Sequence, residues 1–354
     1  MTGFDELLTW RESSTSAAAI AAAVEVAARD AGAARDVLAG AERIVVTGAG
    51  SSYYLALVVA SAARTVLRRS VIATPLSELI LRPDGVLLDG TAATRREPVI
   101  VISRSGSTSE AVTVAERMRA AGHPTIAVTC RATSPLAGLA DVTLVSPAGD
   151  ESAIVMTRSF ASMLALLLGV IGGAAGNERL VGDLARAADG WSDVAAAASI
   201  GRRFGETDFS RVVILGGGAA FGIAAEWGLK LTETSQVPAS AYEPLEFRHG
   251  PISLCEPGML VVGLVGGPGA AEEVAVVAEA ARLGATTWVI ARDLDEARGA
   301  PGEVSVIGGG LDPIARLPLL LHPGHALALS LALTRGCDPD APRHLGQVVI
   351  LARE

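Results

Sequence analysis

Twice along this chain an apolar run breaks at a glycine-rich turn that opens an alanine-rich helix. The first copy reads Ile44–Thr47, then Gly48-Ala49-Gly50-Ser51-Ser52, then a helical pattern to about Leu67. The second reads Val212–Leu215, then Gly216-Gly217-Gly218-Ala219-Ala220, then a helical pattern to about Ser235. An apolar run without polar alternation suits a strand covered on both faces, and parallel strands require helical crossovers. Further runs keep the same rhythm: 71–74, 98–103, 125–129 and 142–145 after the first turn, and 260–265, 287–290 and 304–307 after the second. Proline-leucine pairs also recur, at Pro75-Leu76 and Pro244-Leu245. A repeat this long exceeds any solenoid period. It predicts two tandem α/β domains, each a parallel-sheet three-layer αβα sandwich of the flavodoxin or Rossmann-like kind.

The expected divisions are an N-terminal helical segment over 1–40, a first domain over 41–178, a connecting helix over 179–205, a second domain over 206–335 and a tail over 336–354. Half the chain is hydrophobic and 19% is charged, a composition that can build two cores. A net charge of −9, with no basic stripe, argues against nucleic acid as a partner. The N-terminus carries acids where a signal peptide needs a basic region. The apolar stretches Met163–Gly176 and Leu317–Leu333 read as buried helices, so no membrane partner is expected and the cytoplasm is the expected location. Cys130, Cys255 and Cys337 are widely spaced and read as reduced core thiols.

Ligands of parallel sheets bind at the carboxyl ends of the strands. In the first copy those ends carry Gly50-Ser51-Ser52 and Ser103-Arg104-Ser105-Gly106-Ser107-Thr108. Hydroxyls, glycines and free amides at a strand-to-helix junction suit a phosphate monoester, whose oxygens want donors. Either loop alone is also explained by ordinary N-capping; the two together favour an anion. The second copy has Ala219-Ala220 and Val265-Gly266-Gly267-Pro268 at the matching places and is poor in hydroxyls. A dinucleotide site is disfavoured, because Tyr53 replaces the third glycine of the fingerprint and Glu78 lies too far along to meet a ribose.

Reactive groups are therefore sought in the second copy. Glu226, Lys230 and Glu233 fall on one face of its first helix, and an otherwise apolar helix suggests that this face is enclosed. Lys230 is the one lysine among 29 basic residues, which suits a position needing a compact ammonium rather than a planar fork. His249 lies in the charged, proline-bounded run Tyr242–Pro251 and is a candidate acid or base.

Taken in order, these motifs resemble the sugar isomerase (SIS) family. The resemblance runs from about Ile44 to the tail, and is nearest to the isomerase half of glucosamine-6-phosphate synthase and to the tagatose-6-phosphate and galactosamine-6-phosphate isomerase–deaminase group. The phosphate loops resemble the two hydroxyl loops, the catalytic helix Leu229-Lys230-Leu231-Thr232-Glu233, and the histidine loop Glu246–Pro251. The resemblance implies a phosphorylated sugar gripped by Gly50, Ser51, Ser52, Ser103, Arg104, Ser105 and Thr108. It implies Glu233 as the C1/C2 proton shuttle and Lys230 as support for the developing oxygen charge. His249 would open the sugar ring from a neighbouring subunit, so a homodimer or higher homo-oligomer is expected. Proton transfer needs no metal or redox cofactor.

The sequence also departs from the synthase. Gln347 stands where its tail lysine would be, Met156 where a site serine would be, and Arg104 where it has glutamine, adding a cation beside the phosphate. No glutaminase region is recognised before residue 44, which favours a catabolic isomerase or deaminase. A fructosamine-6-phosphate deglycase would use the same proton transfer with another leaving amine. A non-catalytic sugar-phosphate sensor is the alternative of a different class, and it would have no need of Glu233 and His249.

Overall fold

The computed structural model describes residues 3–87 and 96–350, and residues 351–354 of the expected tail lie outside the described residues. Two five-stranded parallel sheets organise the chain. The first contains β1 (Arg43–Gly48), β2 (Ser70–Pro75), β3 (Val99–Ile102), β4 (Thr125–Thr129) and β5 (Val142–Val145) in the order β2-β1-β3-β4-β5. The second contains β6 (Arg211–Gly216), β7 (Ala239–Tyr242), β8 (Met259–Leu264), β9 (Thr286–Ala291) and β10 (Glu303–Val306), with β7 beside β6 and β10 at the far edge. Both are therefore the doubly wound 2-1-3-4-5 arrangement, in which strand order reverses between the first and third strands. The expected three-layer α/β architecture is present twice.

The central strands β1, β3, β4, β6, β8 and β9 are buried almost throughout, as continuous apolar runs require. Register is regular: Val45 lies opposite Ile72 and Val99 in the first sheet, and Val213 opposite Ser240 and Val261 in the second. Strand β7 has no counterpart in the sequence expectation. Its Ala-Ser-Ala-Tyr run is half-buried at a sheet edge, so the apolar signal that marks its neighbours is weak there.

The described residues form two compact bodies whose limits differ from the expected divisions. The first comprises 16–152, 158–185 and the tail from Gly346; the second comprises the residues up to Thr15, 153–157 and 186–345. The Ala-rich N-terminal segment thus divides, with the Ser16–Arg29 and Gly32–Ala39 helices in the first body. The stretch 179–205, expected as one connecting helix, forms Glu178–Ala185 and Trp191–Gly205, broken by a short 3-10 turn over Ala187–Gly190.

Two apolar helices of membrane-like composition prove to be interior. Arg158–Ala174 is buried along nearly its whole length in the first body. Leu317–Thr334 meets the length and composition of a membrane span, and 89% of it is buried. In the second body the Leu321–Thr334 helix packs against the Ala220–Ser235 helix. A side chain at Gly324 would lie 2.2 Å from the Trp227 ring, so only glycine admits that approach, and Trp227 Nε1 donates to the Leu320 carbonyl at 2.9 Å.

Of the cysteines only Cys130 is buried, and burial pushes its thiol far up from the ordinary range. Cys255 and Cys337 are half-buried, so the expectation of three core thiols holds for one.

Candidate active site

Two helix-opening turns stand at the carboxyl ends of neighbouring strands in the first body. At the end of β1, Gly48 lets the chain fold back on itself, since a Cβ there would meet the Ser52 backbone at 2.4 Å. Gly50 follows with φ +55°, a left-handed conformation that costs other residues. Ser51 and Ser52 are then the first, buried residues of the Ser51–Leu67 helix. At the end of the neighbouring strand β3, Gly106 (φ +61°) approaches so close to Ser134 that a Cβ would lie 2.1 Å from its hydroxyl. The two turns flank the point where strand order reverses, the place such sheets present to ligands.

The hydroxyls of this second loop are held as acceptors by the backbone. Ser103 Oγ accepts from the Gly106 amide at 3.2 Å and lies 3.3 Å from Thr108 Oγ1; Ser105 Oγ accepts from the Ser107 amide at 3.2 Å. Each serine so held keeps its own proton to donate to an incoming oxygen. Thr108 precedes the Ser109–Ala120 helix, so the partly positive end of that helix opens at this loop.

Arg104 is placed differently from the expectation. Its guanidinium is buried, lies 3.5 Å from the fully buried carboxylate of Glu151 and donates to the Gln347 carbonyl at 3.0 Å. Gln347 Nε2 donates in turn to the Glu151 and Ser152 carbonyls at 3.0 and 3.3 Å, and the Ser109 amide donates to the Val349 carbonyl at 3.3 Å. Ser159 Oγ also donates to Glu151. Arg104 and Gln347 are thus brought together as a clamp between the hydroxyl loop and the tail. Glu151, its hub, was not among the residues singled out from sequence. The available signal was the acidic pair Asp150-Glu151 just beyond β5, which surface solvation would explain equally well.

The second body holds the titratable cluster. On the Ala220–Ser235 helix, Lys230 Nζ lies 2.5 Å from Glu233 Oε2 and 3.4 Å from Glu226 Oε1. Glu226 is wholly buried and Lys230 nearly so, while 19% of the Glu233 side chain is accessible. The face is enclosed, as the apolar surroundings suggested, and Glu233 is the member that an incoming molecule can reach. Burial opposes the charge on Lys230, but the flanking Glu226 and Glu233 carboxylates outweigh it and raise its pKa.

Behind this cluster, Ser13 Oγ bridges His322 Nδ1 and His325 Nδ1, each at 2.8 Å. Burial drives both imidazoles down, His322 to about 4, and keeps them neutral at physiological pH. The sequence reading passed over them because they sit inside an apolar helix.

His249 stands on a separate segment, exposed between the Pro244–Phe247 helix and the Pro251–Leu254 turn. The segment is anchored just before it. Phe247 is buried in the core, and Arg248 forms a bidentate pair with Glu279 at 2.7 and 2.9 Å. Such anchoring fixes the backbone of a residue whose ring faces solvent.

The chain is similar to known proteins over most of its length. The family profile described as "SIS domain" matches residues 37–171 and 207–297, covering the first sheet and four of the five strands of the second. Glutamine–fructose-6-phosphate aminotransferase (isomerizing) of Aeropyrum pernix is 31% identical over 335 residues, 88% of this chain and 52% of the relative. That of Tropheryma whipplei is 30% identical over 332 residues, 89% of this chain and 53% of the relative. The chain therefore spans about half the length of the curated relatives it matches. Among solved structures, glucosamine-6-phosphate deaminase from Thermotoga maritima matches 97% of this chain and 99% of its own, with TM-score 0.80 and 26% identity. The C-terminal domain of glucosamine-fructose-6-phosphate aminotransferase from Francisella tularensis shares the fold with TM-score 0.86 at 19% identity, over 96% of this chain and 99% of its own. The doubled sheet, the two turn motifs and the profile match on both halves place this chain in the SIS domain family.

Proposed function

We propose that this chain interconverts the aldose and ketose forms of a hexose or aminohexose 6-phosphate, with Glu233 carrying the proton between C2 and C1. The observation that carries the reading is the Lys230 cluster. An accessible carboxylate touches an ammonium whose charge a second, inaccessible carboxylate secures. A sensor would gain nothing from burying such a charge pair, whose desolvation is costly.

In this reading Ser51, Ser52, Ser103, Ser105 and Thr108 hold the phosphate, with Gly50 giving its loop the required turn. Arg104 and Gln347 keep the hydroxyl loop in place. His249 opens the ring, supplied by a neighbouring copy in a homo-oligomer. Glu233 takes the C2 proton of the open aldose, and the electrons move into an enediol whose growing oxygen charge Lys230 steadies. Return of that proton to C1 gives the ketose.

A deaminating variant of the same reaction is the second reading, favoured by the 26% identity to a glucosamine-6-phosphate deaminase across nearly the full length of both chains. With an amino group at C2, protonation at C1 leaves a ketimine; water adds to it and ammonia departs, giving the ketose.

A panel of hexose and aminohexose 6-phosphates, each scored for ketose and for ammonia, tests both. Ketose without ammonia from a hexose phosphate supports plain isomerisation, and one ammonia per ketose from an aminohexose phosphate supports deamination. Neither product from any member would contradict an enzymatic role.

A further inference from the structure

The second sheet repeats the geometry of the first sheet's anion turns yet fills them from within. Gly218 adopts φ +55°, as Gly50 does, and Gly267 is left-handed at φ +88°, as Gly106 is. A Cβ at Gly216 would meet the Ala220 backbone at 2.6 Å, the counterpart of Gly48 against Ser52. The backbone cradle has therefore been kept. Its amides, however, already have anionic partners. The Gly266 amide donates to Glu273 Oε2 at 3.1 Å, and the Gly267 and Arg292 amides donate to Glu296 Oε1 and Oε2 at 3.0 and 3.2 Å.

Cations complete the arrangement. Arg292 Nη2 lies 2.9 Å from Glu296, and the buried Arg316 reaches Glu296 with Nη1 at 3.8 Å. That Nη1 makes no hydrogen bond, and it points at the Gly266 turn, 3.0 Å from where a Cβ on Gly266 would sit. A buried guanidinium with an unused donor, beside bridged backbone amides, is the donor set of a phosphate site. Glu296 places its two oxygens where two oxygens of a phosphate would go. Removing its charge would take from the buried Arg316 its strongest counter-ion, a state that favours uptake of an anion from solution.

We propose that Glu273 and Glu296 are specificity-determining residues: their carboxyl oxygens occupy the second sheet's cradle, so that the chain takes its phosphorylated ligand at the first sheet alone. This rests on the assignment of phosphate binding to the hydroxyl loops of the first sheet, and the experiment separates the two.

The full chain is melted with and without about 20 mM inorganic phosphate, with chloride at matched ionic strength as the control. The Ser51→Ala/Ser105→Ala variant should lose most of the parent's phosphate-dependent rise in Tm. An undiminished rise would overturn the first-sheet assignment and not this proposal. In that same background, Glu296→Gln and Glu273→Gln/Glu296→Gln should start with a lower Tm and regain roughly 3 °C or more with phosphate but not chloride, the shift expected at tenfold saturation. Glu273→Gln alone, a near-isosteric change, should show a smaller phosphate-specific rise and serves if the double variant does not fold. Folded variants whose Tm responds to phosphate no more than their background does would overturn the proposal.

Discussion

Lys230 sets its ammonium 2.5 Å from Glu233 on the accessible side of its helix, and is held from the buried side by Glu226 at 3.4 Å. The cluster therefore carries two carboxylates on one cation. Its stability and its chemistry depend on different members, and substitutions can separate them.

Lys230→Met leaves Glu226 buried without a counter-charge and should cost about 3 kcal/mol or more in urea denaturation, along with all activity. The double variant Lys230→Met/Glu226→Leu should recover most of the stability and none of the activity. Recovery of turnover in the double variant would show that Lys230 has no part in the chemistry.

Arg104→Ala should act on the fold of the hydroxyl loop before it acts on ligand affinity, because the buried Glu151 carboxylate would lose the guanidinium beside it. The expected loss is about 3 kcal/mol. Ser105→Ala should leave stability within about 1 kcal/mol and raise KM severalfold with kcat nearly unchanged. Urea melts and steady-state kinetics on the same preparations would separate the two behaviours, and identical profiles would contradict them.

Acid should weaken the second body through His322. Its folded pKa of about 4 lies below the ordinary value of 6.5, so the unfolded chain takes up the proton first. The stability it contributes is complete above about 6.5 and is lost as the pH falls towards 4, by at most about 3 kcal/mol. Urea melts between pH 7 and pH 4 should show this decline, and His322→Gln should reduce it, leaving the part that His325 contributes.

Gly50→Ala forces an ordinary residue to φ +55° and should cost about 1 kcal/mol, with weaker ligand binding, although the added methyl group meets nothing within 4 Å. Gly48→Ala adds a clash with the Ser52 backbone at 2.4 Å and should cost more. Thermal melts of the two variants would rank them, and equal costs would contradict the distinction between strain and clash.

The central strands were legible because burial on both faces turns them into uninterrupted apolar runs, such as 44–47 and 212–215 inside β1 and β6. Strand β7 escaped because an edge strand of alanine, serine and tyrosine has no such pattern. The Lys230 face was legible from helical spacing, since residues four and seven positions apart share a side. What spacing could not tell was depth: Glu226 is sealed and Glu233 reachable, although both read as charged positions on one face. Arg104 was legible as a cation at the phosphate loop, but its partner Glu151 lies 47 positions further along the sequence, and long-range pairs leave no local mark. Glu296, 29 positions beyond the Gly267 amide it accepts from, was hidden for the same reason, whereas Glu273 reads as an ordinary acid in a helix's first turn.

The most direct test of the account follows deuterium from D2O into C2 of hexose and aminohexose 6-phosphates, in the parent chain and in Glu233→Gln. The account predicts exchange into at least one of these sugars by the parent, slowed roughly 1000-fold or more by the substitution, while phosphate-ligand affinity stays within a few fold. Exchange at the parental rate in Glu233→Gln, or none by the parent with any of the sugars, would contradict it.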